Sequence, residues 1–191
     1  MNIKIIKNRS DIGAGTRGSD MGIDAIEIAA INQNNDFFLL RILPNGIIDL
    51  SFGMNGVIYL NISDYDAVYK IIPLINGKFF VGGTSKNSFF KTNTFIYKYN
   101  NDGSIDTSFG TNGFISKESA LYDITAQSDG KLIISSLTGL ALTRYQINGA
   151  IDNTFNKQFY SDTTFYTTSI ITTANDKIIT SGYWQSSSGN N

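Results

Sequence analysis

The chain has 191 residues, 41% of them hydrophobic and 16% charged, with 15 basic against 16 acidic side chains and a formal net charge of −1. Near-neutral charge without runs of one sign gives no footprint for nucleic acid or an anionic membrane. The absence of histidine and cysteine removes imidazole bases, thiol nucleophiles and Cys/His metal centres; no metal and no cofactor are expected.

Eighteen glycines, ten tyrosines and thirteen phenylalanines against two prolines suit short strands joined by tight turns, so the expected class is all-β. No stretch approaches the roughly 18 apolar residues of a membrane span, and residues 1–10 are too polar for a signal peptide. The chain as written is therefore expected in the cytoplasm.

Residues 1–37 read as a short β-loop-α segment. Ile3-Lys4-Ile5-Ile6 suits a strand, Ser10 to Ser19 a glycine-rich loop, and the residues after Asp20 a helix with Ile23, Ile26 and Ala30 as its apolar stripe and Asn32 at its end. Gly13-Ala14-Gly15-Thr16-Arg17-Gly18 formally fits a phosphate-binding G-x-G-x-x-G. It does not directly follow the strand, however, and Asp36 begins a second strand instead of ending it, so a plain loop is the better account.

This segment resembles the opening strand, loop and helix of bacterial arginases. That resemblance implies a two-manganese hydrolase, yet the histidine and aspartate segments that hold the metals in that family are absent. An inactive remnant of an arginase-class metallohydrolase is thus the alternative function. Asn34-Asn35-Asp36-Phe37-Phe38 reads as a join to foreign sequence, which points to a chimera or fragment.

From about Phe38 to Asn191 the chain repeats itself. The first anchor runs over 45–53, 102–110 and 148–155 with the pattern [ND]-G-x-I-D-x-[ST]-F, placing Gly46, Asp49 and Phe52 in register with Gly103, Asp106 and Phe109 and with Gly149, Asp152 and Phe155. A strand enters each anchor, as Leu40-Arg41-Ile42, Tyr97-Lys98-Tyr99 and Thr143-Arg144-Tyr145. A second anchor follows, a turn feeding an apolar strand, at Gly77-Lys78, Gly130-Lys131 and Asp176-Lys177.

The Asn-Gly or Asp-Gly step suits a tight hairpin turn with left-handed φ values, and the anchor phenylalanine is expected to plug the space between units. The spacing from Gly46 to Gly103 exceeds that from Gly103 to Gly149, and the excess falls where turn-type residues such as Thr84-Ser85-Lys86-Asn87-Ser88 cluster. These insertions read as lengthened loops.

Within a unit four strands are expected, at Thr94 to Tyr99, Gly113 to Ser116, Leu121 to Gln127 and Lys131 to Ser135. This is the arithmetic of a propeller blade. The anchors followed by D-G-K and an apolar run resemble the delta-sixty family of bacterial β-propeller repeats, over about four fifths of the chain. The resemblance implies a partial β-propeller-like array of about three four-stranded antiparallel blades, membership of exported or cell-surface proteins, and no catalytic residues.

Other candidates weigh toward scaffold. Asn100, Asp102, Ser104 and Asp106 alternate like half of a calcium loop, but Thr111 stands where a bidentate Glu is wanted, and hairpin geometry explains the recurrence better. Lys78, Lys131 and Lys177 are expected to lay their stems over apolar neighbours. Tyr160, Phe165, Tyr166, Tyr183 and Trp184 are more readily core or cross-strand pairs than a sugar-stacking face. The expected function is a non-catalytic structural or interaction module that binds an unknown protein or glycan through blade loops, with self-association through open sheet edges.

Overall fold

The structure is a computed structural model that describes residues 37–89, 91–136, 141–155 and 163–186. The β-loop-α segment expected over 1–36 lies outside the described residues. So do Asn34 to Asp36 of the proposed join and Tyr160.

The described residues form eleven strands and no helix. They are β1 (Phe37–Leu40), β2 (Val57–Leu60), β3 (Tyr65–Pro73), β4 (Phe79–Lys86), β5 (Thr92–Tyr99), β6 (Phe114–Lys117), β7 (Leu121–Ala126), β8 (Leu132–Ser136), β9 (Ala141–Tyr145), β10 (Thr163–Thr172) and β11 (Ile178–Ser186). Chain neighbours pair antiparallel in four meanders: β1–β2, β3–β4–β5–β6, β7–β8–β9 and β10–β11. The expected all-β class and blade-like sheets are present, and β3–β6 shows the full complement of four strands.

Sequence unit and sheet are half a unit out of phase. The four strands expected within one unit form, but β5 and β6 close one sheet while β7 and β8 open the next. The anchor keeps β5 and β6 side by side, with Tyr97 opposite Phe114, whereas the connection through Glu118, Ser119 and Ala120 carries the chain to a new sheet. β1, β5 and β9 thus hold the third position of their sheets, β4, β8 and β11 the second.

Each joint between consecutive sheets has its own apolar cluster, so stability is built neighbour on neighbour. Phe37, Leu39 and Phe52 pack with Val81, Phe95 and Tyr99. Phe80, Ile96 and Phe109 pack with Leu121, Ile124 and Leu132. Ile133, Leu142 and Ile170 form the third.

Close stacking needs small residues in β4: a Cβ on Gly82 would lie 3.0 Å from Ile124 in the next sheet, and one on Gly83 2.0 Å from the Ala67 carbonyl oxygen.

One expected loop is partly strand. Thr84 and Ser85 are buried and pair with Thr94 and Asn93, so the insertion lengthens the β4–β5 hairpin before it turns. Pairing satisfies the backbone that a buried loop would leave without partners.

Candidate functional site

The three anchors fold into the same lock. A basic side chain in the entering strand meets the anchor aspartate: Arg41 Nε lies 2.9 Å from Asp49 Oδ2, Arg144 Nε 2.9 Å from Asp152 Oδ2, and Lys98 Nζ 3.5 Å from Asp106 Oδ2. The other carboxylate oxygen accepts a backbone N–H and a hydroxyl two residues on, from Ser51, Ser108 and Thr154, with the hydroxyl at 2.6 Å each time. The amides of Asp49, Asp106 and Asp152 donate back to the carbonyls of Arg41, Lys98 and Arg144.

The cation also covers the anchor phenylalanine. Arg41 sits 4.7 Å from the Phe52 ring centroid, Arg144 4.7 Å from Phe155, and Lys98 5.9 Å from Phe109. Phe52 and Phe109 are buried in the joints between sheets, and Phe155 packs against the cluster of Ile133, Leu142 and Ile170.

Charge-assisted hydrogen bonds hold these carboxylates ionised. The Ser51 hydroxyl is the largest influence on Asp49, and the Thr154 hydroxyl on Asp152; both side chains are held below the usual carboxylate range. Burial pushes Asp106 up, but hydrogen bonds from Ser108 and Lys78 outweigh it and hold the group well below that range.

The turn before the lock differs from the expected two-residue hairpin. Only the glycine is left-handed, with φ of +82° at Gly46, +86° at Gly103 and +84° at Gly149. The preceding Asn45, Asp102 and Asn148 instead accept from the backbone N–H two residues on, at 3.1, 2.9 and 3.0 Å, an Asx-turn that keeps them at ordinary φ. In the second unit the chain after the turn makes two isolated bridges, Tyr99 to Ile105 and Thr111 to Phe114, the latter at the start of β6.

The same contacts occupy the calcium-like set. Asp102 Oδ1 accepts from Ser104 N and Oγ, Asn100 Nδ2 donates to Ser104 Oγ, and Asp106 is in its lock. Among the described residues no group of three or more acidic side chains could hold a metal ion.

Successive anchors are also joined to one another. Gly53 N donates to the Asp102 carbonyl and Gly110 N to the Asn148 carbonyl, both at 2.8 Å. Glycine is required twice over at the receiving end: besides the positive φ, a Cβ on Gly103 would lie 2.9 Å from Gly53 N and one on Gly149 2.6 Å from Gly110 N. The anchors therefore form a ladder along one end of the blades.

A second cluster carries no repeated motif in the sequence. The first strands of three sheets carry a bulge at matching places, between Val68 and Lys70, Leu121 and Asp123, and Thr167 and Ser169. The residue after each bulge turns toward the same point. Asp123 accepts from Lys70 Nζ at 2.6 Å, Ser169 Oγ at 2.8 Å, Ile170 N at 2.7 Å and Ile124 N at 2.8 Å. Burial raises its pKa, these donors outweigh burial, and the carboxyl stays below its ordinary range. One carboxylate thus ties β3, β7 and β10 together.

Two of the repeated lysines end in ion pairs. Lys78 pairs with Asp106 and Lys131 with Asp129, because an acceptor lies within reach of each ammonium. The lysine laid against rings is the buried Lys98, 5.6 Å from Phe80 and 5.9 Å from Phe109. Of the aromatic candidates, Tyr166 and Tyr183 stack across β10 and β11 with centroids 4.7 Å apart, and Phe165 pairs with Trp184 in register. The stack of Tyr166 on Tyr183 is a cross-strand pair.

An open groove of about 1050 Å³ runs between β6 and β9, with Ile115, Lys117, Arg144 and Asp152 among its walls. Among the described residues no strand pairs with the edge of β9 that corresponds to the one β5 gives to β6.

Comparison with known families gives one match. The family described as "Domain of unknown function (DUF5122) beta-propeller" matches residues 27–52 and 76–109, the two stretches ending on the anchor phenylalanines Phe52 and Phe109. The match supports a propeller-type repeat domain, in keeping with the successive meander sheets. No curated protein matches the chain.

Proposed function

We propose that the chain is a non-catalytic repeat module of the delta-sixty type that binds a protein or a glycan through the loops at the end of the blades opposite the anchors. The anchor end is taken up by locks and ladder. The opposite end carries the insertions, and one observation there favours recognition: Phe89 is 87% exposed on a turn held rigid by Asn87, whose Oδ1 accepts from Phe89 N at 3.1 Å and Lys91 N at 3.0 Å.

Beside it Lys91 pairs with Glu118 at 2.8 Å. An aromatic ring displayed on a preorganised turn loses little entropy on docking, the property of a binding anchor. The missing histidine and cysteine support the absence of catalysis.

The test is to screen the intact chain and its Phe89→Ala variant against glycan and purified-protein arrays. A ligand whose binding falls at least roughly tenfold in the variant, about 1.4 kcal/mol, with an unchanged melting curve, supports the reading. Binding indifferent to Phe89 sinks the proposed face. Urea release from arginine with added manganese would overturn the non-catalytic reading.

A further inference from the structure

Five asparagines stand directly before a glycine: Asn45, Asn55, Asn76, Asn112 and Asn148. At such a step the glycine nitrogen can attack the preceding side-chain amide, because glycine has no Cβ to crowd the ring that forms. The fold treats the five unequally. Gly56, Gly113 and Gly149 are buried. A Cβ on Gly56 would lie 2.2 Å from the Ile48 side chain and one on Gly113 2.0 Å from Ile105, while the Asn148 carbonyl is tied into the ladder by Gly110 N. Gly46 and Gly77 are exposed.

These two exposed steps differ in what lies two residues on. Asn45 is followed by Ile47, Asn76 by Lys78, whose ammonium lies 2.9 Å from Asp106 Oδ2. Around Asn76 the turn is held by Gly77 N donating to the Leu74 carbonyl at 3.1 Å and Lys78 N donating to Asn76 Oδ1 at 3.2 Å.

The third unit has an aspartate at this place. There Asp129-Gly130-Lys131 makes the same turn, with Lys131 N donating to Asp129 Oδ1 at 3.0 Å, and Lys131 Nζ turns back to Asp129 Oδ2 at 2.7 Å. A carboxylate in this turn thus draws the lysine to itself, and the asparagine at 76 leaves Lys78 to the anchor.

We propose that Asn76 is a deamidation site and that the carboxylate formed there draws Lys78 away from Asp106. The Gly77 nitrogen gives up its proton and bonds to Asn76 Cγ; the Cγ–Nδ2 bond breaks, and ammonia leaves with that proton. Water then opens the cyclic imide, its hydroxyl going to the carbonyl carbon and its hydrogen to the Gly77 nitrogen. Opening at Cγ leaves an aspartate, and opening at the main-chain carbonyl leaves an isoaspartate whose chain runs through Cβ. Either way one water enters, one ammonia leaves and the turn gains a negative charge on ionisation.

Without Lys78, Asp106 keeps Lys98 at 3.5 Å as its cation. Deamidation therefore loosens the second lock. Phe79 pairs with Tyr99, so the turn stands at the anchor end, and the proposal is independent of the Phe89 face.

The test begins by holding the folded, intact chain at mildly alkaline pH and following each asparagine by peptide mass. Conversion at Asn76 should run several-fold faster than at Asn55, Asn112 and Asn148, and the difference should vanish in urea. Equal rates in the folded chain, or a ranking that persists in urea, would overturn the site.

The consequence is read in a double-mutant cycle of Lys78→Met and Asp106→Asn, run with and without Asn76→Asp. The coupling should shrink beside Asn76→Asp, and the Asp106 carboxyl, followed by NMR, should titrate closer to its ordinary range. An undiminished coupling or an unchanged titration would overturn the transfer of Lys78.

Discussion

Lys78 Nζ lies 2.9 Å from Asp106 Oδ2, an ion pair between the turn that opens β4 and the second anchor. In the third unit the counterpart Lys131 turns to Asp129 instead, at 2.7 Å, while Arg144 serves the anchor aspartate. The difference follows from the entering strand: Arg41 and Arg144 bring a guanidinium Nε to 2.9 Å, whereas Lys98 stops at 3.5 Å. An ammonium is a point charge without the planar fork of arginine, so Lys78 supplies the contact that Lys98 does not.

Lys98→Arg should therefore make Lys78 redundant. Lys78→Met is expected to lower the urea midpoint in the natural chain and to have little effect beside Lys98→Arg, a coupling of about 0.5–3 kcal/mol. Strictly additive effects in this double-mutant cycle would remove the account of Lys78.

Two glycines of equal φ should respond unequally to alanine. Gly130 and Gly149 sit at φ of +82° and +84°, so each substitution carries the left-handed penalty of about 1–2 kcal/mol. A Cβ on Gly130 would meet only the flexible end of Ile147 at 3.3 Å, but one on Gly149 would meet Gly110 N at 2.6 Å and break the anchor ladder. Gly149→Ala should lower the denaturation midpoint clearly more than Gly130→Ala. Equal losses would show that the ladder bond contributes nothing.

The contrast between anchors and inner cluster explains which features are legible in the amino-acid sequence. Gly103, Asp106 and Phe109 recur as the same residue types because each does a job few others can: a left-handed turn, a double acceptor, a plug between sheets. Lys70, Asp123 and Ser169 also share one position, seven residues before Gly77, Gly130 and Asp176. They differ in type because they meet each other, and complementarity leaves no repeated letter to find.

The half-unit offset between repeat and sheet is hidden for a related reason. Alternating apolar residues mark β6 and β7 equally well, but nothing in the pattern says that the chain leaves one sheet between them. The Asx-turn is legible only in part: Asp102 before Gly103 announces a turn, while its type depends on where Ser104 puts its N–H and hydroxyl.

Below about pH 9 stability should fall on the acid side alone. Asp49, Asp102, Asp106, Asp123, Asp129 and Asp152 are all held below the ordinary value of 3.8. Groups depressed in the folded state stabilise it above their unfolded pKa, and that contribution disappears as pH falls through the folded values. With no histidine, no imidazole step enters near neutrality. The urea midpoint should stay level from about pH 8 to about pH 5 and drop below about pH 4. Asp123→Asn should make that drop shallower, and a decline between about pH 8 and pH 6 would contradict the assignment.

Tyr99 offers a stabilising substitution. Its ring is fully buried, stacked on Phe79 at 5.2 Å with an interplanar angle of 13°, yet its hydroxyl finds no hydrogen-bond partner among the described residues, and burial drives its pKa far upward. The unit on one side has Ile42 at this position, so the hydroxyl is no requirement of the repeat. Tyr99→Phe keeps the ring and both its aromatic neighbours while removing a polar atom that lost its water on folding. The expected gain is about 1 kcal/mol, read as a higher urea midpoint with an unchanged slope; a lower midpoint would mean that the hydroxyl has a partner after all.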